Sequence, residues 1–360
     1  MLLALTAVAS PAVALGSAPN VPFVWGTATA AYQVEGSRAA DGRQPSIWDA
    51  FDTPSVKALS LRATKPDGTT NVFKGENAAR SDDDYVRFDD SAALTSKLGF
   101  GAARLSIAWP RVMTYKPGTA PPSGAPAWER NAAGIAHYRK VLKAYASRGI
   151  RVALTMFHWD MPLALEDHAA RSANSSAWLQ PWISAAFAEY AALLVAEFSA
   201  PEYGVAWWIT INEPLTIVQN GYAGTGPHAP GRCSDRSACW HGDDLVEPYV
   251  ATKHLILAHA EAFAAWRRGG SPGLGCGITL NGDWRQPFSS SAADHAAATR
   301  ALEWQAPLFA DPIHFGDWTP SIKRAVGSRL DAATGGRWSW SAAEQALVNG
   351  SHDGHFFMNT

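Results

Sequence analysis

The sequence predicts an α/β fold built on a parallel sheet, more specifically a (β/α)₈ TIM barrel of which about six of the eight βα units are present. Apolar strands alternate with amphipathic helices along the 360 residues, as in consecutive βα units. The strands are continuously apolar, which indicates a sheet covered on both faces, as in a barrel or a doubly wound fold. Polar residues end at least four of the strands, which favours the barrel. No GxGxxG motif follows the first strand, which weakens a dinucleotide-binding interpretation.

The predicted strands are short apolar runs that end in a polar residue or a proline. They cover residues 23–31, 103–109, 152–159, 207–213, 275–281 and 355–360. The predicted helices carry large apolar side chains on one face at a spacing of three or four residues. They cover residues 82–98, 131–148, 183–198 and 250–267. Residues 214–247 are predicted to form a long loop, and residues 309–320 an ordered loop before a short helix.

The composition indicates a chain with a sizeable core, since 47% of the residues are hydrophobic and the formal net charge is only -2. Nothing in this charge balance predicts a nucleic-acid or membrane partner. Tryptophan is abundant, with 16 copies. An indole offers a flat apolar face and one N–H donor, and sugar rings stack well on such faces, although most of these side chains are expected simply to fill the core.

Residues 1–18 are apolar and small and resemble the hydrophobic part of a secretory signal peptide, followed by a single domain over residues 19–360. The stretch lacks a basic start, and Pro11 makes it a poor membrane span. Cys233 and Cys239 lie close together in a predicted loop and are compatible with one disulfide in an oxidising compartment. Cys276 lies within a predicted buried strand and is expected to stay free.

The strand that ends in Asn212 and Glu213 organises the candidate site. Residues 207–211 are apolar and partly β-branched, and the run then changes abruptly to an amide, a carboxyl and Pro214. Such a strand places two hydrogen-bonding groups at the edge of the sheet where ligands bind in parallel α/β folds. Taken alone, Glu213 is more simply explained as an ion-paired edge residue.

Other polar residues at strand ends extend this set. Each has a simpler explanation by itself: Gln33 could cap a helix, His158 could be a satisfied core histidine, and Asn281 could be a turn residue. At the mouth of one barrel, however, these three and Asn212 would surround the Glu213 carboxyl with the hydrogen-bonding groups that a polyhydroxylated ligand needs. The sequence has no Cys/His metal spacing and no GxSxG nucleophile motif, so neither a metal nor a cofactor is expected.

Several motifs in this order resemble those of family 1 glycoside hydrolases, the β-glucosidase family. The resemblance runs from about residue 21 to the end and rests on FVWGTATAAYQVEG, RLSIAWPRV, TMFHWDMPLALED, TINEP, APGRC…EPYV, FADPIHFGDWTP and HFFMNT. It implies a (β/α)₈ barrel that hydrolyses terminal β-linked sugars with retention of configuration. Together with the signal-like residues 1–18, this predicts a secreted or vacuolar protein. The resemblance also implies that Gln33, His158 and Asn212 bind sugar hydroxyls and that Glu213 is the general acid/base. A glutamate at this position separates the chain from myrosinase-like members, which carry Gln.

The resemblance also identifies what the sequence does not contain. Retaining glycosidases use two carboxyls about 5 Å apart, an acid/base and a nucleophile. The family's nucleophile lies in an ITENG-like motif on the seventh strand, and no such motif occurs here. Glu35, Asp160 and Glu166 are acids near the other motifs, but none lies on a seventh strand. The chain is therefore expected to be the N-terminal part of such an enzyme and inactive by itself. The alternative is a non-catalytic sugar-binding or degenerate relative.

Overall fold

A computed structural model describes residues 23–359, apart from residues 117, 120–123 and 225. This part of the chain forms a six-stranded parallel sheet with helices packed around it and a two-stranded ribbon. The strands are β1 Gly26–Ala28, β2 Ala102–Ser106, β3 Met113–Tyr115, β4 Trp128–Arg130, β5 Arg151–Phe157, β6 Val205–Asn212, β7 Gly275–Asn281 and β8 Phe356–Asn359. The α-helices are α1 Ala31–Val34, α2 Ile47–Asp52, α3 Asp84–Lys97, α4 Trp109–Val112, α5 Ala132–Ala146, α6 Leu163–Ala173, α7 Ile183–Phe198, α8 Pro214–Tyr222, α9 Glu247–Arg268, α10 Ala292–Glu303, α11 Ala306–Phe315, α12 Pro320–Ile322, α13 Ser328–Thr334 and α14 Ala342–Val348.

The order of strands in the large sheet is that of a barrel wall. The sheet runs β1-β2-β5-β6-β7-β8, and every neighbouring pair is parallel. Each strand therefore pairs with the preceding strand of the sheet along the chain, whereas a doubly wound sheet would reverse its order at a switch point. The ribbon of β3 and β4 is antiparallel and lies between β2 and α5 in the chain. The described residues form an incomplete (β/α)₈ barrel, so the predicted fold class is confirmed.

The core lies between the sheet and the helices that connect its strands. Trp109, Trp178 and Trp208 are among the largest fully buried side chains. The Trp109 ring stacks on Tyr190 of α7 with a centroid distance of 4.7 Å, so part of the tryptophan content does fill the core. Burial of such large rings is a major stabilising contribution.

The first predicted strand is shorter than expected. Of residues 23–31, only Gly26–Ala28 pair with β2, and Ala31 already begins α1. The Ala31 N–H donates to the Ser106 side chain (2.7 Å), so the chain leaves the sheet and turns into a helix at this point. Trp25 is 70% exposed, so the prediction of a fully buried strand is wrong here.

The sequence predicts a loop over residues 309–320, but α11 covers much of them and contains Pro312. Proline has no N–H to donate to the carbonyl four residues earlier, that of Leu308. The indole N–H of Trp318 donates to this carbonyl instead (3.0 Å), so the helix tolerates the proline. Gly316, with φ +77°, ends the helix.

Candidate active site

Glu213 lies at the junction of β6 and α8, with backbone angles of φ +44° and ψ +64°. This left-handed conformation is uncommon in a residue with a side chain, and such residues cluster at functional sites. The Glu213 N–H donates to the Thr279 carbonyl of β7 (2.9 Å), which fixes the backbone. Pro214 opens α8, where its missing N–H is not needed. The long loop predicted from residue 214 is therefore wrong at its start.

Both carboxyl oxygens of Glu213 accept hydrogen bonds. The hydroxyl of Thr216, one turn later in α8, donates to Oε2 (2.9 Å). The side-chain amide of Asn359, the last residue of β8, donates to Oε1. The Glu213 side chain is half-buried, so these contacts hold a carboxyl that a ligand can still reach.

Asn212 is fully buried and lies at the centre of this polar cluster. Its Oδ1 accepts from the Arg104 guanidinium and from Asn359 (3.2 Å), and its Nδ2 donates to Nε2 of His158 (3.1 Å). The indole N–H of Trp159 donates to the Asn212 backbone carbonyl (2.8 Å). Side chains from β2, β6, β8 and the end of β5 therefore meet in one network, as expected for strand ends of a barrel.

His158 is neutral in this cluster. Burial and the nearby Arg104 guanidinium lower the pKa of His158 to about 3. Because Nε2 accepts from Asn212, the ring proton is on Nδ1, and this buried atom has no partner among the residues described. An unpaired buried N–H is costly, so a ligand hydroxyl would be a favourable acceptor at Nδ1.

The structure places the two remaining predicted site residues differently. Asn281, at the end of β7, contacts the cluster through Thr216, to whose hydroxyl its Nδ2 donates (2.9 Å). Gln33 lies on α1 and is exposed, and its side chain makes no hydrogen bond in the described part of the chain. Glu213, Asn212 and His158 are thus brought together directly, Asn281 indirectly, and Gln33 not at all. Their sugar-binding roles stay predictions.

Three residues of the cluster were not identified from the sequence. Arg104 interrupts an apolar strand, and a cation in such a strand is the signal that could have revealed it. Asn359 is another polar residue at a strand end. Thr216 becomes a neighbour of Glu213 only because α8 begins at Pro214, which brings residues three apart onto one face.

The Glu213 carboxyl lines a cavity of about 590 Å³. Its lining includes Asn281, Trp304 and, next to them, an exposed pair between Asp283 and Arg285 (2.8 Å). This volume is in the range of small-molecule sites. A second cavity, of about 460 Å³, is lined by residues of α9 and α13 and by none of the strand-end residues.

The loop after α8 contains a disulfide between Cys233 and Cys239, while Cys276 is a buried free thiol in β7. Next to the bridge, the Arg232 guanidinium binds both carboxyl oxygens of Glu247 at the start of α9 (2.8 and 2.7 Å). The loop is thereby tied to α9.

Within the described ranges, no group of three or more His, Cys, Asp or Glu side chains is placed to hold a metal ion. In the same part of the chain, no helix has both the length and the apolar character needed to cross a bilayer.

A barrel-type parallel sheet with an Asn-Glu pair, a neutral imidazole and further amides at its strand ends has the fold and the site position of a (β/α)₈ enzyme. The comparison with protein families agrees, since the profile of glycosyl hydrolase family 1 matches residues 19–359. The chain belongs to this family.

Its relatives include β-glucosidases of plants and fungi. The chain is 38% identical over 341 residues to Beta-glucosidase 34 of Oryza sativa subsp. japonica, covering 94% of this chain and 59% of that protein. It is 35% identical over 345 residues to Beta-glucosidase 40 of Arabidopsis thaliana, covering 95% and 59%. The crystal structure of the rice Os3BGlu6 β-glucosidase superposes with a TM-score of 0.77 at 35% identity, over 94% of this chain and 63% of that one. A family 1 β-glucosidase of the fungus Humicola insolens in complex with glucose gives a TM-score of 0.77 at 34% identity, over 93% and 63%. The chain thus spans about 59% of the length of these two curated relatives.

Proposed function

We propose that the protein carrying this chain is a retaining β-glucosidase-like glycosidase that removes terminal β-linked sugars, with Glu213 as its general acid/base. One observation carries the proposal: a carboxyl with two hydrogen-bonded oxygens, on a left-handed residue at the end of β6, adjoins the fully buried Asn212. The β-glucosidase names of the relatives support the substrate class.

The proposed reaction has two steps. Glu213 first donates its proton to the glycosidic oxygen of the leaving group, while a second carboxyl attacks the anomeric carbon and forms a glycosyl-enzyme. In the second step Glu213, now ionised, takes a proton from water as the water attacks the anomeric carbon and releases the sugar. Asn212 would bind the 2-hydroxyl, a contact that strengthens in the transition state. The cluster described above holds the acid/base carboxyl of this pair.

The remaining sugar contacts are proposed from geometry and motif. His158 offers its unpaired Nδ1–H to a sugar hydroxyl, since its other nitrogen is already occupied by Asn212. Asn281 also lines the cavity, and one of its two side-chain N–H groups donates to the Thr216 hydroxyl. For Gln33 the support is the motif in which it lies.

Replacing the carboxyl of Glu213 by an amide tests the assignment. In an active protein that contains this chain, Glu213→Gln should slow turnover of an alkyl or cellobiose-type β-glucoside by about 10²–10⁴-fold, the usual contribution of general acid–base catalysis. The rate at which the glycosyl-enzyme forms from 2,4-dinitrophenyl β-glucoside should fall much less, because that leaving group needs little protonation. Glu129→Gln, which changes an exposed carboxyl paired with Lys116, is the matched control. Wild-type rates of Glu213→Gln on the alkyl substrate would refute the role.

We also propose that the protein enters the secretory pathway and is secreted or vacuolar. The apolar residues 1–18 support this, as does the Cys233–Cys239 bridge, since disulfides persist in oxidising compartments. N-terminal sequencing and non-reducing peptide mapping of the protein from its source provide the check. A retained Met1 together with two free thiols would contradict the proposal.

A further inference from the structure

We infer that Thr216 is a positioning residue that holds the Glu213 carboxyl for both of its proton transfers, and that Asn281 orients the Thr216 hydroxyl. This inference rests on the proposed acid/base function of Glu213. The contacts form a chain of two hydrogen bonds: Asn281 Nδ2 to Thr216 Oγ1 (2.9 Å), and Thr216 Oγ1 to Glu213 Oε2 (2.9 Å).

The direction of the chain follows from the donors available. A threonine hydroxyl has one proton and two lone pairs, and an amide nitrogen can only donate. Because the Asn281 nitrogen donates to the Thr216 hydroxyl, the single hydroxyl proton is directed to Glu213. The other carboxyl oxygen, Oε1, is held separately by Asn359. Thr216 is therefore the protein donor to Oε2 within the described residues.

The backbone makes this contact rigid. Glu213 precedes α8 and Thr216 lies in its first turn, so the two side chains share one face of the helix. A β-branched side chain has a restricted χ1 angle, which limits the positions that the hydroxyl oxygen can take. Asn281 is anchored in turn on β7, the neighbouring strand of β6. Glu213 is thus braced between its own helix and the adjacent strand, and misplacement of a catalytic group by about 1 Å can cost roughly 10²-fold in rate.

The test compares Thr216→Val, which removes the hydroxyl at nearly constant volume, with Thr216→Ser, which keeps it. For an alkyl or cellobiose-type β-glucoside, Thr216→Val should lower kcat/KM about tenfold, a partial loss of the general-acid contribution. For 2,4-dinitrophenyl β-glucoside, kcat/KM should change less than about twofold, because formation of the glycosyl-enzyme needs little acid help. On this substrate kcat and KM should fall together, since release of the sugar still needs Glu213 as base. Thr216→Ser should behave nearly as wild type.

Two further variants make the result specific. Thr252→Val removes another buried threonine hydroxyl, which donates to the Pro248 carbonyl in α9 (2.8 Å), and should show no such split between substrates. Asn281→Ala should reproduce part of the loss in kcat/KM that Thr216→Val causes on the alkyl substrate. The double variant should lose less kcat/KM than the two single variants combined, because both residues act through one hydrogen-bond chain.

If Thr216→Val lowered kcat/KM equally on both substrates, or on neither, the positioning role would be overturned. A crystal structure of Thr216→Val in which the Glu213 carboxyl keeps its place would do the same and does not depend on activity. Failure of the proposed function is recognised differently: Glu213→Gln would then leave turnover of the alkyl substrate unchanged, whatever Thr216→Val does.

Discussion

Asp160 is a buried acid outside the catalytic cluster. It follows Trp159 at the end of β5, is fully buried, and neither carboxyl oxygen has a partner in the described part of the molecule. Burial, opposed in part by the Arg43 guanidinium, raises the pKa of Asp160 to about 8. The folded protein therefore holds this carboxyl in its protonated form at pH values where an exposed aspartate is ionised.

Asp160 should make the protein less stable as the pH rises. Its pKa is about 8 in the folded state against an ordinary value of 3.8, so the folded state binds the extra proton between these values. The stabilising contribution is complete below about pH 4 and is lost as the pH rises to about 8. Asp160→Asn cannot ionise, and its free energy of unfolding should lack this decline when measured by urea unfolding. Asp89→Asn, which neutralises an exposed carboxylate paired with Arg148, is the control. An unchanged decline in Asp160→Asn would contradict the assignment.

Buried histidines set the pH window for that experiment. Burial lowers the pKa of His254 and His259 to about 4, below the ordinary value of 6.5. Both histidines are neutral in the folded state. Their stabilising contribution to the free energy of unfolding is therefore present above pH 6.5 and is lost as the pH falls to about 4. Over that range they oppose the effect of Asp160. The effect of Asp160 should therefore be clearest between about pH 6.5 and 8.

At the scale of secondary-structure elements, α11 depends on a side chain outside the helix. Trp318→Phe removes the N–H that satisfies the Leu308 carbonyl but keeps an aromatic ring beside Trp338 (centroid distance 4.3 Å). The variant should lose about 1–2 kcal/mol of unfolding free energy, measured by urea unfolding. In a Pro312→Ala background the N–H of residue 312 can donate to the Leu308 carbonyl. Trp318→Phe should therefore lower the free energy of unfolding by less in that background. An equal loss of unfolding free energy in both backgrounds would show that the indole N–H does not stabilise α11.

Elements with a regular apolar period could be predicted closely from the sequence. The periodic stripe over residues 183–198 is α7, and the apolar run over residues 275–281 is β7. The elements that were missed depend on context. Pro312 argues against a helix unless the distant Trp318 replaces the lost hydrogen bond, and Pro214 can equally end a strand or begin a helix.

The same distinction explains what could be predicted of the site. Asn212, Glu213 and His158 belong to strands recognisable by composition, so their meeting at one end of the sheet follows from a parallel fold. The sequence predicts Gln33 at a strand end, but β1 stops at Ala28 and Gln33 lies on the short helix α1, where it is exposed. Thr216 could not be found, because its contact depends on where α8 begins.

At the scale of the whole molecule, one contact shows how strongly the sheet curves. Nη1 of the Arg104 guanidinium on β2 lies 3.4 Å from the side-chain Oδ1 of Asn359 on β8. These strands are separated by β5, β6 and β7 in the sheet, and four strand spacings in a flat sheet would put them about 19 Å apart. An arginine side chain does not span that distance, so the six strands curl around a common interior. The polar cluster lies inside this curve.

A polypeptide of residues 1–360 alone should not hydrolyse β-glycosides. In the described part of the chain Glu213 is the carboxyl held in the cluster, and the retaining reaction needs a second one about 5 Å away. Asp283 lines the same cavity, but it is exposed and paired with Arg285, and it lies on the loop after β7. The described sheet also has six parallel strands, whereas the (β/α)₈ barrel closes with eight.

The measurement is an assay of purified monomeric residues 1–360 on an aryl β-glucoside beside a full-length relative. No turnover above the Glu213→Ala background is expected. Steady turnover that Glu213→Ala abolishes would contradict this prediction, and loss of that turnover in Asp283→Asn would identify Asp283 as the second carboxyl. Saturable glucose binding without turnover, weakened by Asn212→Ala, would instead favour a sugar-binding relative. In that case Asn212 and His158 would retain part of the affinity for glucose, because the contacts that hold them do not include a second carboxyl.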